Sequence, residues 1–383
     1  MLFRFLRSSS LMMTRQSVKD GDSLDLSGLA ERIHEWGREL GFQQIGITDT
    51  DLATHERYLE RWLAAGHHGE MGFMAKHGSK RTRPAELVPG TLRVISARMD
   101  YLPPEVETTK VLGQADKAYV SRYALGRDYH KLIRKRLASL AKRIEDEVGP
   151  FGYRAFVDSA PVMERALAQK AGLGWFGKNS MLLHPRSGSL FFLGELYTDL
   201  PLPIDAPFDS EHCGKCNQCR TACPTGAIID DKVVDSRRCI SYLTIELHGS
   251  IPEEYREAMG NRVYGCDDCQ LVCPFTRFTR ASHEEDFAPR HDLDRAELVR
   301  LFGWGEEEFL MRTEGSAIRR IGYERWLRNL AVGLGNAPWS EAVEAALRAR
   351  LPYPSDLVRE HVRWALARQH GKRQRLIAVS PNH

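Results

Sequence analysis

The segment CGKCNQCRTACP, residues 213–224, decides how the chain is divided. Three evenly spaced cysteines, a fourth after three more residues and then a proline give the C-x2-C-x2-C-x3-C-P spacing of bacterial-type ferredoxins. A second run, CDDCQLVCP at 266–274, repeats the end of the first, and Cys239 supplies the eighth thiol. All the cysteines of the chain lie between Cys213 and Cys273. They predict two 4Fe-4S clusters in one ferredoxin-like domain.

The spacing also predicts which cysteines share a cluster. In proteins with two such runs, the fourth cysteine of a run binds the cluster of the other run. One cluster is therefore expected to take Cys213, Cys216, Cys219 and Cys273, and the other Cys223, Cys239, Cys266 and Cys269. Zinc held by two sets of four cysteines is the alternative. The even spacing before Cys-Pro and the repeated run disfavour zinc.

Length and composition limit the class of protein. The 383 residues contain 54 Lys and Arg against 51 Asp and Glu, and a chain of this length predicts two or three domains. A hydrophobic share of 42% and a charged share of 27% are those of a soluble globular protein and exclude a disordered, collagen-like or membrane-bundle chain. We expect a cytoplasmic protein without membrane spans, a monomer, whose residues 1–22 form a flexible tail.

Helix and strand patterns alternate before the cysteines, which predicts an α+β domain over residues 23–205. Ser27 is expected to cap the first helix, and Pro161 to stand in the first turn of the helix PVMERALAQKAG. SMLLHP and SLFFLGELYTDL predict a β-hairpin across residues 185–188. Residues 206–290 are assigned to the ferredoxin-like domain.

Short amphipathic helices in series follow, and they predict a HEAT-like helical region over residues 291–383. Residues 317–383 contain 12 Lys and Arg against 5 Asp and Glu. This charge favours nucleic-acid binding and an ordinary solvated helical surface about equally.

Asp158 is the most informative single residue outside the cysteines. It follows the apolar strand RAFV and precedes a predicted helix, so it could cap that helix or act as a proton donor. Arg127-Asp128-Tyr129-His130 likewise could begin a helix or line a pocket. Gly172, Gly174 and Gly177 match GxGxxG, but a helix precedes them and a strand follows, so a dinucleotide fold is rejected.

Several segments together resemble the epoxyqueuosine reductases, which complete queuosine synthesis in tRNA. They are ALGRDYHK (124–131), VDSAPVMERALAQKAGLGWFGKNS (157–180), CISYLTIE (239–246), YGCDDCQLVCP (264–274) and RRIGYERWLRNLAVGLGN (319–336). The cysteine pattern alone fits many ferredoxin-like proteins, whereas its combination with VDSAPVMER and CISYLT is specific. The resemblance extends from about residue 25 to 370.

The resemblance implies a cofactor, a substrate and a reaction. A base-off cobalamin is expected between a nitroreductase-like N-terminal domain and the ferredoxin-like domain. The substrate is a tRNA with epoxyqueuosine at the wobble position, reduced by two electrons and two protons to the cyclopentene with loss of water. Electrons are expected to pass through the two clusters to cobalt from a donor that the sequence does not identify.

The resemblance also implies roles for individual residues. Asp158 matches the proton donor of the family, and we expect its desolvated carboxyl to be protonated near neutral pH. Ser241, Glu246 and Asp268 are expected to line the cobalamin, with support of the cluster loops as the alternative. Independently of the resemblance, the basic C-terminal helices are expected to help hold the tRNA, because four arginines lie in one short stretch: Arg319, Arg320, Arg325 and Arg328.

Two other functions remain open at this point. A corrinoid iron–sulfur reductive dehalogenase shares this architecture, although such enzymes usually carry an export signal and lack a basic helical tail. A non-catalytic ferredoxin-type electron carrier is the other alternative, but it leaves about 200 N-terminal residues without a role.

Overall fold

The computed structural model describes residues 24–379, so the predicted tail of residues 1–22 lies outside the described residues. Before the cysteines the helices are α1 (Leu26–Glu39), α2 (Ala53–Ala64), α3 (Phe73–Lys76), α4 (Pro84–Leu87), α5 (Thr108–Gly113), α6 (Tyr129–Val148) and α7 (Glu164–Lys170). The strands are β1 (Gln44–Thr48), β2 (Arg93–Asp100), β3 (Tyr119–Val120), β4 (Tyr153–Phe156), β5 (Trp175–Phe176), β6 (Leu182–Leu183) and β7 (Phe191–Thr198).

The remaining elements belong to the cysteine-rich and C-terminal parts. The first holds α8 (Gln218–Thr221), β8 (Ile228–Asp230), β9 (Val233–Val234), α9 (Ile240–Ile245), α10 (Glu253–Arg256), β10 (Arg262–Tyr264) and α11 (Asp268–Leu271). The second holds α12 (Leu298–Phe302), α13 (Glu306–Arg312), α14 (Gly322–Asn336), α15 (Glu341–Ala349) and α16 (Asp356–Val379). The mixed helix and strand content agrees with the predicted α+β class. None of the described helices is long and apolar enough to cross a membrane.

A four-stranded antiparallel sheet of order β1-β2-β7-β4 organises the N-terminal region. Ile95, Ala97 and Met99 of β2 point to one face and pack with α1 and α6. Val94 points to the other face and packs with α7. Because side chains alternate along a strand, the sheet is covered by helices on both sides.

The predicted hairpin across residues 185–188 is wrong. β6 pairs with β5, and β7 instead lies between β2 and β4. The His184↔Gly188 bridge closes only a local turn. The PRSG turn signal was real, but it did not reveal which strands would become partners.

Two predicted helix starts also need correction. Asp25, and not Ser27, caps α1, because its carboxylate accepts the Gly28 amide at 2.9 Å. α7 begins at Glu164, three residues beyond Pro161, and its cap residue Met163 makes no side-chain cap bond. Residues 157–163 are therefore a loop between β4 and α7.

The largest hydrophobic core joins regions that are distant in sequence. Val120 and Leu125 pack with Val263 and with the C-terminal helices as far as Ala365. A parallel pairing of β3 with β10 connects the same parts. In the C-terminal region α14 packs along α16, and Ser340 caps α15 by accepting the Val343 amide. The core is continuous across residue 291, where a domain boundary is predicted.

Candidate active site and cysteine clusters

Asp158 stands in the loop between β4 and α7 with a left-handed backbone, φ 49°. This conformation is uncommon for a residue other than glycine, so the surrounding contacts must hold it. The Tyr129 hydroxyl donates to Asp158 Oδ2 at 2.8 Å, and His130 Nε2 lies 3.4 Å from the same oxygen. Asp158 caps no helix, which leaves the proton-donor interpretation.

His130 connects two carboxylates. Its Nδ1 lies 2.5 Å from Asp128 Oδ1, and its Nε2 faces Asp158. Burial alone would lower the pKa of His130, but the hydrogen bonds to Asp128 and Asp158 outweigh it and raise that pKa to about 9. Asp128 also caps α6 by accepting the His130 amide at 3.0 Å. Both interpretations of the Arg127–His130 segment therefore hold.

Hydrogen bonding opposes the desolvation from which a protonated Asp158 was expected. Burial would raise its pKa, but the hydrogen bonds from His130 and Tyr129 outweigh burial and hold the pKa below its usual value. At neutral pH the arrangement is an Asp158 carboxylate beside a protonated His130. The proton is stored on the imidazole, one hydrogen bond behind the carboxylate.

A pair of buried carboxyl groups, missed from the sequence, supports the Asp158 loop. Glu164 Oε1 accepts the backbone amide of Asp158 at 2.5 Å, and Glu164 is hydrogen-bonded to Glu195 of β7. Burial and the nearby Asp158 charge raise the pKa of Glu164 to about 8, and burial raises that of Glu195 as well. Two carboxyl groups that share a hydrogen bond must share at least one proton, so the pair is partly neutral.

A pocket of about 80 Å³ opens beside these groups. Its walls come from three separate parts of the chain: Tyr123 to His130 with Asp158, Tyr264 of β10, and Ser316 to Arg320. Arg320 faces Asp158 across it and forms an ion pair with Glu246. The candidate acid, an arginine and three tyrosines thus surround one small space.

The structure brings the eight cysteines into the two predicted sets. Cys213, Cys216, Cys219 and Cys273 line a common cavity of about 220 Å³. Cys223, Cys239, Cys266 and Cys269 lie near one another in a more buried position. Within residues 24–379 no three His, Cys, Asp or Glu side chains converge on a site for a single ion. The first set surrounds a space, as the ligands of a multi-atom cluster do.

Hydrogen bonds to sulfur surround the cysteines. The backbone amides of Ser241 and Tyr242 donate to Cys239, and the Ala227 amide donates to Cys223 Sγ at 3.2 Å. Donors of this kind raise the reduction potential of a cluster. Ser241 is thereby placed beside the second set of cysteines, and its side chain is partly exposed.

Asp268 is held in the loop of the second set. Arg262 Nε donates to Asp268 Oδ2 at 2.6 Å, and the Cys266 thiol lies 2.9 Å from that oxygen. These contacts favour the loop-support alternative over a cobalamin contact. Its neighbour Asp267 was missed from the sequence: it is buried and accepts hydrogen bonds from Tyr119 Oη, Ser121 Oγ and Arg122 N.

The four arginines chosen for tRNA contact separate into two groups. Arg319 and Arg320 are exposed. Arg325 is half-buried and donates to the carbonyls of Ile321 and Ile245. Arg328 is 0% exposed and donates to the carbonyls of Leu243, Leu247 and Gly249. Arg328 therefore joins α14 to the cysteine-rich region, and its prediction as a tRNA contact is wrong.

The described residues fit a large cofactor beside Asp158. The Asp158 side chain is 52% exposed, and Arg165, on the following helix α7, is exposed as well. Both side chains border the open cleft beside the loop between β4 and α7. The Asp158 and Arg165 side chains could meet the amide groups at the rim of a corrin, and the second set of cysteines lies on the Ser241 side.

Comparisons with known proteins agree on one family. A family model described as "Epoxyqueuosine reductase QueG, DUF1730" matches residues 81–159, and one described as "4Fe-4S double cluster binding domain" matches residues 212–276. The epoxyqueuosine reductase of Pseudomonas aeruginosa is 64% identical over 361 residues, covering 94% of this chain and 100% of that protein. That of Escherichia coli is 58% identical over 357 residues, 93% of each chain.

A solved structure of similar fold is a crystal structure of epoxyqueuosine reductase with an epoxyqueuosine-modified stem loop of tRNA-Tyr. It superposes with a TM-score of 0.82 over 94% of this chain and 96% of that one, at 24% identity.

Proposed function

Because the chain belongs to the epoxyqueuosine reductase family, we propose that it reduces epoxyqueuosine to queuosine at the wobble position of tRNA. The reaction adds two electrons and two protons, converts the epoxide to the cyclopentene and releases water. The observation that carries the proposal is the Asp158–His130–Asp128 arrangement at a pocket, in a chain whose central part contains eight cysteines.

The cofactors are assigned by the donors that the chain offers. The first set of four cysteines and the second set are each proposed to bind a 4Fe-4S cluster, in a region that matches a 4Fe-4S double cluster binding domain. A base-off cobalamin is proposed in the cleft beside Asp158, near Ser241 and Glu246. When bound, it supplies a strongly reducing cobalt centre suited to two-electron reduction.

The residues of the chain handle the protons. An epoxide oxygen leaves poorly as an alkoxide, so a proton must reach it as the C–O bond breaks. Asp158 faces the pocket, and the proton on His130 can move to it along the 3.4 Å contact between Nε2 and Oδ2. Tyr129 holds the same carboxylate oxygen and fixes its direction. The Asp128 carboxylate stabilises the imidazolium from the opposite side.

Turnover of a modified RNA tests this proposal. Anaerobically reconstituted protein would be incubated with cobalamin, a chemical reductant and epoxyqueuosine-containing tRNA, and the nucleosides analysed by mass spectrometry. Loss of one oxygen from epoxyqueuosine, dependent on added cobalamin, is expected. Cobalamin-independent turnover, or none at all with both clusters loaded, would contradict the proposal.

A further inference from the structure

Three cations lie on the first two turns of α6. Lys131, Arg134 and Lys135 are exposed. Within residues 24–379, none of the three forms an ion pair, whereas the cations farther along the helix do. Arg136 pairs with Glu284, and Arg143 pairs with Glu39.

Their position in the helix is unfavourable. The N-terminus of a helix carries partial positive charge, so Lys131 in the first turn of α6 is destabilising there. Lys131 and Lys135 are also four residues apart, a spacing at which like charges repel across one turn. A purely structural α6 would do better with neutral or acidic residues at these positions. The arrangement therefore points to an external anion.

Lys131 and Arg134 lie next to residues of the pocket, and Lys135 follows Lys131 one turn along the same helix. Lys131 directly follows His130, which lines it, and Arg134 donates to Ser159 Oγ at 3.4 Å, next to Asp158. The opposite wall is formed by Ser316 to Arg320, where Arg319 and Arg320 are exposed. Cations thus flank the pocket on two sides, one group from the N-terminal region and one from the C-terminal region.

We propose that Lys131, Arg134 and Lys135 bind the phosphate backbone of the RNA loop whose modified base enters the pocket. The inference rests on the proposed function and adds a second RNA-binding surface, on the N-terminal region. A base inserted between two walls brings the phosphates on its 5′ and 3′ sides to the rim. Each wall can then neutralise a different part of the loop backbone.

Salt dependence of RNA binding tests the surface. In the triple variant Lys131→Gln, Arg134→Gln and Lys135→Gln, the log–log slope of affinity against salt should become shallower by about 2, and affinity near 0.1 M salt should fall roughly 10- to 100-fold. The probe is a tRNA anticodon stem loop carrying epoxyqueuosine, with binding measured by fluorescence anisotropy. The double variant Lys131→Gln and Lys135→Gln leaves the contact of Arg134 with Ser159 in place and should show about two thirds of the slope change.

The control removes cations from the same helix away from the pocket. Lys142→Gln with Arg143→Gln, which are paired with Asp146 and Glu39, should leave slope and affinity near wild type. Iron and sulfide content and the thermal unfolding midpoint report folding of each variant. Equal effects in control and triple variant, or no effect in either, would overturn the inference while wild-type turnover still upheld the proposed function. If the wild-type protein showed neither turnover nor RNA binding, both the inference and the proposed function would be contradicted.

Discussion

The chemistry of the pocket depends on which residue holds the proton, and the structure assigns it to His130 at neutral pH. Asp158 transmits that proton, so Asp158→Asn keeps the size of the side chain but cannot pass it on. Turnover should fall by about 10²–10⁴-fold, the usual contribution of general acid catalysis. Nucleoside mass analysis measures the loss, with cluster and cobalamin content as the control. Near-wild-type turnover would move the acid role to Tyr129 or His130.

The pH dependence should report His130 directly. Activity is expected to fall as pH rises through about 9, where the imidazolium loses its proton. Asp128→Asn removes one of the groups that raise this pKa, so the alkaline limb should move to lower pH. Because the folded pKa lies above the unfolded value of about 6.5, His130 also stabilises the fold below that pH and loses this contribution as pH approaches 9. If Asp128→Asn left the alkaline limb of the pH profile unchanged, that limb would not report the protonation of His130.

Glu164 is expected to act by holding the Asp158 backbone and not by carrying charge. Glu164→Gln keeps an oxygen for the Asp158 amide and should retain most activity, whereas Glu164→Ala leaves the φ 49° conformation without that support. In the alanine variant, kcat should fall by a larger factor than the factor by which KM changes. Equal loss in both variants would point to the proton of the Glu164–Glu195 pair instead.

At the scale of single residues, the sequence revealed the importance of Asp158 but not its protonation. The motif contains Asp158 and Glu164 six residues apart, yet their contact depends on a loop where a helix was expected. Glu195 comes from another strand, so no local pattern could pair it with Glu164. Arg328 was misassigned because an arginine in a basic stretch looks exposed until the fold buries it.

Among the elements, the two cysteine runs cross over, and this predicts matching phenotypes from distant substitutions. Cys273→Ser should damage the same cluster as Cys213→Ser, although Cys273 belongs in sequence to the second run. Cys239→Ser should damage the other cluster. Iron content and EPR spectra of the reduced variants check this. If Cys273→Ser matched Cys239→Ser instead, the crossed assignment would be wrong.

Prediction of elements succeeded where the pattern was local and failed where partners were distant. α6 follows its Asp128 cap, one of the two interpretations of the Arg127–His130 segment. β7 was identified as a strand but given the wrong partner, because the central position between β2 and β4 is set by packing of the whole sheet. The spacing of the cysteines predicted their two sets, because the fourth cysteine of each of two such runs binds the cluster of the other run.

For the whole molecule, the shared core predicts that the three regions are not separable. Removing residues 291–383 would uncover Val120, Leu125 and Val263, which are 0% exposed in the full chain. A fragment of residues 24–290 should therefore aggregate or unfold without a cooperative transition, as scattering and thermal denaturation would show. A soluble fragment with both clusters loaded would mean that the predicted boundary at residue 291 divides real domains.

The parallel pairing of β3 with β10 and the core around it also determine when the fold can be completed during synthesis on the ribosome. The hydrophobic core that contains Leu125 is complete only when Ala365 has been added, 240 residues later. At 5–20 residues per second this interval is roughly 10–50 s. All eight cysteines emerge during that wait, before the C-terminal helices exist to close over them. During this interval the cysteines of the nascent chain are open to the machinery that delivers iron and sulfide. Its apolar segments still need protection by chaperones.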